Sequence, residues 1–267
     1  EDLRIDHSIL DQHADSYRKI RNTFRYLLGN LNDNFEEIEL EKINLSELPE
    51  LEQFMLHKIH LLNKNFNNYF KNYDFHNLYK ELLNFCTVDL SAFYFDIRKD
   101  TLYCDELDSK KRKSTIILLN IILNALLKWF APILSFTTEE IFRLIFKNNK
   151  SIHLEKFVEF PELFKNDFLN NKWQELIKIR NLCNISIEEK RASKEIGSSL
   201  EAELTINLND KFKDITKNID FAELCITSKA KISFSKIIEA KVDTLKAKGS
   251  KCPVCWKISE EPCARHS

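Results

Sequence analysis

The chain has only three glycines among 267 residues, Gly29, Gly197 and Gly249, and they lie far apart. A P-loop or a Rossmann fingerprint needs clustered glycines, because the backbone must come close to the phosphates. The sequence therefore excludes both kinds of nucleotide-binding loop. A serine–histidine–acid triad or a pair of catalytic carboxylates finds no support either. We expect six histidines to be structural or surface residues: His7, His13, His57, His60, His76 and His153.

The chain also lacks net charge, since 40 basic residues face 41 acidic ones. A nucleic-acid partner would therefore have to meet a local basic surface. With 43% hydrophobic residues and 20 phenylalanines, the chain has enough apolar material for a core, which argues against disorder.

No signal peptide opens the sequence, and we expect a cytoplasmic, reducing location. Four of the seven cysteines are scattered among apolar residues and are predicted to be small buried side chains. These four are Cys86, Cys104, Cys183 and Cys225.

One apolar run, residues 114–136, is long enough to span a bilayer. Asn120, Asn124 and Lys128 recur in it every four residues and form one polar stripe on a helix. Pro132 then ends the helix. We predict a buried bundle helix and no membrane partner.

Residues 1–150 show apolar residues at helical spacing throughout, which predicts an antiparallel helix bundle. Gly29 is a candidate C-terminal cap of the first helix. Thr137 and Glu140 have the spacing of a capping box. The predicted helices cover about residues 10–28, 51–70, 74–98 with a kink around Thr87–Val88, 109–130, and 137–146.

The pattern changes after residue 150. A loop at 151–165 and a charged helix at about 168–194 precede a segment with period two, residues 200–208, which predicts a half-buried strand. Weaker strands fit 221–226 and 236–246, with a short helix between them. The fold class is thus mainly α, and the predicted domains are the bundle (1–150), a linker with a small α+β subdomain (151–248), and a zinc knuckle (249–267).

The tail carries the pattern C-x2-C, seven residues, then C-x2-H, formed by Cys252, Cys255, Cys263 and His266. Two such pairs can complete a tetrahedron of sulfur and nitrogen ligands around Zn²⁺. Four protein ligands leave no open position, so the predicted zinc is structural. The alternatives are chance clustering or a disulfide.

Trp256 directly follows the second cysteine of this pattern. It could cap a small core of the knuckle, or it could be a platform on which an unpaired base stacks. Lys251, Lys257 and Arg265 lie around it in sequence and could attract phosphates. We take Trp256 and Lys257 as candidate RNA contacts.

A row of arginines gives a second candidate RNA surface. Arg18, Arg21 and Arg25 fall on one face of the first predicted helix, and no acidic residue occurs between Ser16 and Leu31. An arginine fork can hold two oxygens of a phosphate backbone. The alternative is that the row is simply solvated.

Five segments resemble bacterial-type isoleucyl-tRNA synthetases. They are SYRKIRNTFRYLLGNLND (16–33), YDFHNLYKELLNFCTVDLSAFYFDIRKDTLY (73–103), LLKWFAPILSFTTEEIF (126–142), IGSSLEAELTI (196–206) and KCPVCW (251–256). The bundle segments are shared loosely with valyl-, leucyl- and cysteinyl-type synthetases, whereas the terminal CPVCW knuckle is specific to the isoleucyl type. The family's knuckle usually has four cysteines and a longer insert, and here His266 takes the fourth place.

The resemblance implies a monomer whose bundle grips the anticodon stem-loop of an isoleucine-accepting tRNA. It also implies that the knuckle helps to read the anticodon, with the tryptophan close to the RNA. The His-x-Gly-His and Lys-Met-Ser-Lys-Ser signatures of the family do not occur. We therefore expect ATP to belong only to a catalytic domain outside this chain, and the chain alone to be inactive. The alternative is a free-standing zinc-containing module that binds RNA or protein.

Overall fold

The computed structural model describes residues 5–31, 35–146 and 150–266. The chain divides into two compact units: Glu1–Arg98 with Glu106–Asn166, and Lys99–Asp105 with Asp167–Ser267. The three-part division made from the sequence stays a prediction.

The first unit is a helix bundle, as the apolar periodicity predicts. Within it α2 packs against α3 and α5, and α1 packs against α5. The longer helices of residues 5–146 are α1 (His7–Leu31), α2 (Glu50–Lys71), α3 (Phe75–Asn84), a π-helical stretch (Phe85–Phe95), α4 (Asp96–Cys104), α5 (Lys110–Phe130) and α6 (Ser135–Ile145). Helix α4 passes from the first unit into the second at Lys99.

Two helix starts follow from capping side chains. The Asp74 carboxylate accepts a hydrogen bond from the backbone N–H of Asn77 at 3.3 Å, and the Ser109 hydroxyl accepts one from Arg112 at 3.4 Å. Each side chain satisfies a backbone donor that the first turn of a helix leaves without a partner. The predicted starts of α3 and α5 are therefore confirmed.

Two predicted helix boundaries are wrong, the end of α1 and the start of α6. Helix α1 runs through Gly29 to Leu31, because Leu31 continues the buried face one turn beyond Leu27. Helix α6 begins at Ser135, so Thr137 lies within its first turn and does not cap it. The Thr137 hydroxyl instead lies 2.9 Å from the Tyr17 hydroxyl.

The predicted kink around residues 87–88 is a π-helical stretch that joins α3 to α4. The Thr87 hydroxyl donates to the carbonyl of Leu83 at 2.9 Å, which competes with the backbone for that acceptor. The helical course predicted to end at residue 98 continues to Cys104.

Helix α5 is long and apolar enough to cross a membrane, but 72% of its most apolar window is buried inside the protein. Two residues of its polar stripe, Asn120 and Lys128, meet polar partners within the first unit. The Asn120 side chain accepts from the backbone N–H of Glu36 at 2.9 Å, and the Lys128 ammonium lies 3.8 Å from the carboxylate of Glu155. The prediction of a buried bundle helix is confirmed.

A buried ion pair lies in the core of the bundle. The Arg98 guanidinium donates to both carboxylate oxygens of Glu52, at 2.6 Å each, and both side chains are buried. The Tyr94 hydroxyl donates to the same carboxylate at 3.0 Å. Burial, followed by the charge of Glu52, raises the pKa of Tyr94 well above its usual range. This network was not singled out from the sequence.

The second unit contains helix α7 (Asp167–Ala192) and a three-stranded sheet of β1 (Ala202–Asn209), β2 (Lys229–Ser235) and β3 (Lys241–Lys246). Strand β1 lies in the centre, parallel to β2 and antiparallel to β3. Helix α7 packs against β3 and β1. The alternation predicted for β1 is confirmed, since every second residue from Ala202 is buried.

The two weaker strand predictions are wrong in part. Residues 221–226 begin with a short helix, because the Asp220 carboxylate accepts from the N–H groups of Ala222 and Glu223 at 2.9 and 3.1 Å. The strand predicted over 236–246 begins only at Lys241.

Strand β2 occupies the place where a short helix was expected. Two short helices, α8 (Lys213–Thr216) and α9 (Phe221–Leu224), precede it instead and form the crossover that a parallel pair of strands requires. In β2, the half-buried Ile232 lies opposite the buried Ile206 of the central strand, and this apolar contact favours the strand.

Candidate metal centre and nucleic-acid interface

The C-terminal tail is a small hairpin in which β4 (Ser250–Lys251) and β5 (Ile258–Ser259) pair antiparallel. Two backbone hydrogen bonds close the turn between the strands. The N–H of Cys252 donates to the carbonyl of Lys257 at 2.9 Å, and the N–H of Trp256 donates to the carbonyl of Cys252 at 3.0 Å. The turn is therefore tight enough to bring both cysteines of the C-x2-C pair to one centre.

Gly249 is required where the hairpin begins. Its φ is +116°, and a Cβ at this position would lie 2.1 Å from the backbone carbonyl of Ser259. A side chain is excluded by both the conformation and the space. One of the three glycines is thus explained by the knuckle.

The hairpin brings together the four predicted ligands, whose donor atoms all lie within 4.8 Å of one another. The His266 Nδ1 is 3.3 Å from the Cys263 Sγ and 3.6 Å from the Cys252 Sγ. The Cys255 Sγ is 3.8 Å from the Cys263 Sγ. Ligands about 2.0–2.3 Å from one tetrahedral ion lie roughly 3.3–3.8 Å apart, so these three distances fit such an ion.

One hydrogen bond determines which nitrogen of His266 faces the sulfurs. The His266 Nε2 lies 2.9 Å from the backbone carbonyl of Cys104. A carbonyl can only accept, so Nε2 carries the proton and Nδ1 keeps its lone pair for the cluster. Metal-binding histidines commonly donate their other ring nitrogen in this way.

The backbone around the cysteines favours thiolates at two of the three positions. The N–H groups of Cys255 and Val254 lower the pKa of Cys252 to about 6. The N–H of Arg265 lowers the pKa of Cys263, whereas burial raises the pKa of Cys255. Thiolates are the form that binds metal, so the hairpin prepares the ligands electrostatically.

The donor set is three sulfurs and one imidazole nitrogen, and it can hold a metal ion. The disulfide alternative does not fit, because all seven cysteines are free and the 3.8 Å between the sulfurs of Cys255 and Cys263 far exceeds a disulfide bond of about 2.05 Å.

Cys104 corrects the prediction that the four scattered cysteines are all buried. Cys86, Cys183 and Cys225 are buried, but Cys104 is only partly buried. Its Sγ lies 3.8 Å from the carbonyl of Val254 in the knuckle turn. Nothing in the sequence signalled this contact, because the two residues are 150 positions apart.

Trp256 is 57% exposed and has a φ of +64°, which is uncommon for a bulky residue. The Lys251 ammonium lies 5.0 Å from the centre of the indole ring, within reach of a cation–π interaction. The ring is therefore displayed at the surface and does not fill a core of the knuckle. Its role as an RNA contact stays a prediction.

The basic residues around Trp256 differ in how available they are. Lys251 is exposed and Lys257 is half-buried. Arg265 was expected to attract phosphates, but its guanidinium donates to Asp105 at 2.6 Å and to Asp100 at 2.7 Å. Arg265 is thus committed to two carboxylates, and that expectation is corrected.

The predicted arginine row lies on the exposed side of α1, opposite the buried Ile20 and Phe24. Arg18 is not the unpaired side chain expected, because Asp15, just outside the acid-free run, lies 3.0 Å from it. Arg21 donates to the Tyr17 hydroxyl at 3.2 Å.

Arg25 is exposed, and no ion pair involves it within residues 5–31, 35–146 and 150–266. The row therefore lies at the surface, and its first residue, Arg18, is already paired with Asp15. RNA binding by Arg18, Arg21 and Arg25 stays a prediction.

Of the six histidines outside the tail, His57 and His60 are buried and the other four are exposed. The His57 Nδ1 accepts from the backbone N–H of Asn166 at 2.9 Å, and the His60 Nε2 lies 3.6 Å from the Glu162 carboxylate. These are structural and surface positions, as expected.

Comparisons with known proteins agree with this architecture. Residues 52–206 match the profile of a family described as the anticodon-binding domain of tRNA ligase. The chain is 68% identical over its full length to an isoleucine–tRNA ligase of Pelagibacter ubique (strain HTCC1062), of which it covers 30%. It is 38% identical to that of Agrobacterium fabrum (strain C58) and 37% identical to that of Bartonella henselae (strain Houston 1), in each case over 98% of the chain and 28% of the relative. The chain thus spans about 30% of the length of these curated relatives.

Proposed function

The chain belongs to the family of anticodon-binding domains of tRNA ligases, and on that premise we propose that it binds the anticodon stem-loop of an isoleucine-accepting tRNA. The isoleucine specificity is proposed because the relatives at 37–68% identity are all isoleucine–tRNA ligases. The partner of the chain is RNA, and the chain acts as a monomer.

The observation that carries this proposal is the display of Trp256 on the knuckle. A bulky residue held at positive φ costs free energy, on the order of 1–3 kcal/mol, and such costs concentrate at functional sites. An exposed indole offers a flat face to any unpaired base, and anticodon bases are unpaired. Lys251 beside the ring and Lys257 after it supply positive charge for the RNA backbone.

We further propose that the metal of the cluster is structural Zn²⁺. Thiolate sulfur and imidazole nitrogen are ligands that zinc favours. Four of them fill a tetrahedral coordination sphere and leave no open position for a substrate or a water molecule. The ion would be held by Cys252, Cys255, Cys263 and His266, and its binding would order the hairpin. A cytoplasmic location is proposed with it, because reducing conditions keep the thiols free.

The parent protein, in this proposal, joins isoleucine to its tRNA at the expense of ATP. This chain holds no clustered glycines to cradle ATP phosphates, so ATP would be bound elsewhere in the parent protein. We propose that the chain contributes RNA binding and has no ligase activity on its own.

Two measurements on the purified chain test the proposal. Filter binding at one fixed salt concentration should give a lower Kd for the isoleucine-accepting tRNA than for a tRNA with an unrelated anticodon. Isoleucine-dependent exchange of pyrophosphate into ATP should stay at background. Equal affinity for both tRNAs would favour the alternative of a free-standing RNA-binding module. Exchange activity would contradict the proposal that the chain has no ligase activity on its own.

A further inference from the structure

The knuckle is tied to the segment Lys99–Asp105 by two consecutive residues near the end of the chain. Arg265 bridges two carboxylates, with its Nη1 donating to Asp105 at 2.6 Å and its Nη2 donating to Asp100 at 2.7 Å. The next residue, His266, donates its Nε2 proton to the carbonyl of Cys104 at 2.9 Å. Three separate hydrogen bonds therefore hold two residues against one short segment of the same compact unit.

These contacts lie outside the paired strands of the hairpin. The fourth candidate ligand, His266, lies beyond the end of β5 at Ser259, where no strand pairing holds it. A hairpin with two-residue strands has few contacts of its own. The geometry of the fourth ligand must therefore be supported from outside the hairpin.

The two ion pairs are sheltered enough to give that support. The side chains of Arg265, Asp100 and Asp105 are 35%, 24% and 15% exposed. Water screens partly buried pairs less than exposed ones. Each bond is also charge-assisted and short, so it fixes direction as well as distance.

We propose that Arg265, Asp100 and Asp105 are positioning residues of the metal site. Arg265 is anchored by the two carboxylates, and this anchor keeps the neighbouring His266 ring where its Nδ1 points at the three sulfurs. The inference rests on the metal site proposed above and extends it to a second segment of the chain. No sequence pattern signals it, because the anchoring acids precede Arg265 by 160 and 165 positions.

Cobalt(II) is a suitable probe, because it takes tetrahedral sites and its absorption reports the number and kind of ligands. In the whole chain, Arg265→Gln should weaken cobalt and zinc affinity about 10–100-fold, the usual effect of losing outer contacts of a metal ligand. The cobalt spectrum should shift toward that of His266→Ala, a change that a general loss of stability would not produce. The double variant Asp100→Asn/Asp105→Asn keeps side-chain size and should give the same two effects.

Because the three residues act through one anchor, the combined Arg265→Gln/Asp100→Asn/Asp105→Asn variant should be little weaker than Arg265→Gln. Arg265→Lys, with an ammonium that reaches one carboxylate at a time, should fall between Arg265→Gln and the parent. The matched control is Arg191→Gln, which breaks the exposed pair with Glu188 on α7 and should leave the affinity and the spectrum unchanged.

Helix content by circular dichroism shows whether each variant folds. If Arg265→Gln folds and keeps the parent's affinity and cobalt spectrum, the positioning role is overturned and the proposed metal site stands. If the parent chain takes up neither cobalt nor zinc, both proposals are overturned.

Discussion

The helix bundle and the terminal knuckle differ in how much apolar surface they bury. The bundle buries large aromatic side chains completely, among them Phe24, Phe66 and Trp129. Among residues 250–266, by contrast, only Cys252 and Cys255 are buried. The hydrophobic effect scales with the apolar area removed from water, so it can order the bundle but not the knuckle. A bound metal supplies the missing free energy in small domains of this kind.

The two regions should therefore respond to different perturbations. Removing one partner of a buried contact should damage the bundle, whereas the knuckle should respond to the loss of a ligand or of its tight turn. Substitutions placed in each region can separate the two responses.

The largest effect is expected from Arg98→Met in the bundle. The substitution leaves the Glu52 carboxylate buried without its cation, which costs about 3–5 kcal/mol of unfolding free energy. Urea unfolding followed by circular dichroism measures it, and metal content should be unchanged while the helices persist. Lys178→Met, which breaks an exposed pair with Glu175, is the control and should cost about 1 kcal/mol or less. A loss that small for Arg98→Met would show that the buried pair is not essential.

The next effect concerns the knuckle and its tryptophan. Cys255→Ser should lose the metal and with it most of the tRNA affinity that Trp256 provides, because only the closed turn fixes the ring in space. Trp256→Ala should keep the metal and weaken tRNA binding by about 1–3 kcal/mol. The double variant should be little worse than Cys255→Ser. Metal content by mass spectrometry and tRNA affinity at constant salt are the measurements, and parent-like affinity of Trp256→Ala would refute base stacking.

Two glycine substitutions should have opposite effects, one stabilising the bundle and the other weakening metal binding by the knuckle. Gly29 lies inside α1, where a Cβ would meet nothing within 4 Å, so Gly29→Ala should stabilise the bundle by about 0.5–1 kcal/mol. Gly249→Ala places a methyl group 2.1 Å from backbone atoms of Ser259, so it should weaken metal binding without changing a ligand. The melting temperature of the helices and a chelator competition for zinc report the two outcomes. A lower melting temperature for Gly29→Ala, or an unchanged zinc affinity for Gly249→Ala, would contradict this expectation.

The smallest effect per residue is expected from the arginine row. Replacing Arg18, Arg21 and Arg25 with glutamine should leave the helix content intact, since the buried face of α1 is unaffected. It should weaken tRNA binding and reduce the slope of affinity against salt by about one for each lost phosphate contact. Arg25→Gln alone should matter more than Arg18→Gln, because Asp15 already pairs with Arg18. An unchanged slope in the triple variant means that the row only faces solvent.

Much of the bundle could be predicted from the sequence, because apolar periodicity and capping residues act over a few positions. Asp74 and Ser109 begin their helices as predicted, and α5 is buried as its polar stripe indicated. The errors occur where a distant group changes the local preference. Leu31 carries α1 beyond Gly29 because the buried face continues, and the pairing of Ile232 with Ile206 makes a strand of a segment expected to be helical.

The sequence by itself determined which residues could form the metal cluster and which family they belong to, because ligand type and spacing within fifteen residues are local properties. It also determined the fold class, since helical and strand periods can be counted along the chain. Only the tertiary structure decided that Glu52 and Arg98 form a buried pair, that the Cys104 carbonyl accepts a hydrogen bond from His266, and that Arg265 donates to two carboxylates. These partners lie from 46 to 165 positions apart. Charge and hydrogen bonding depend on distance in space, and only folding sets that distance.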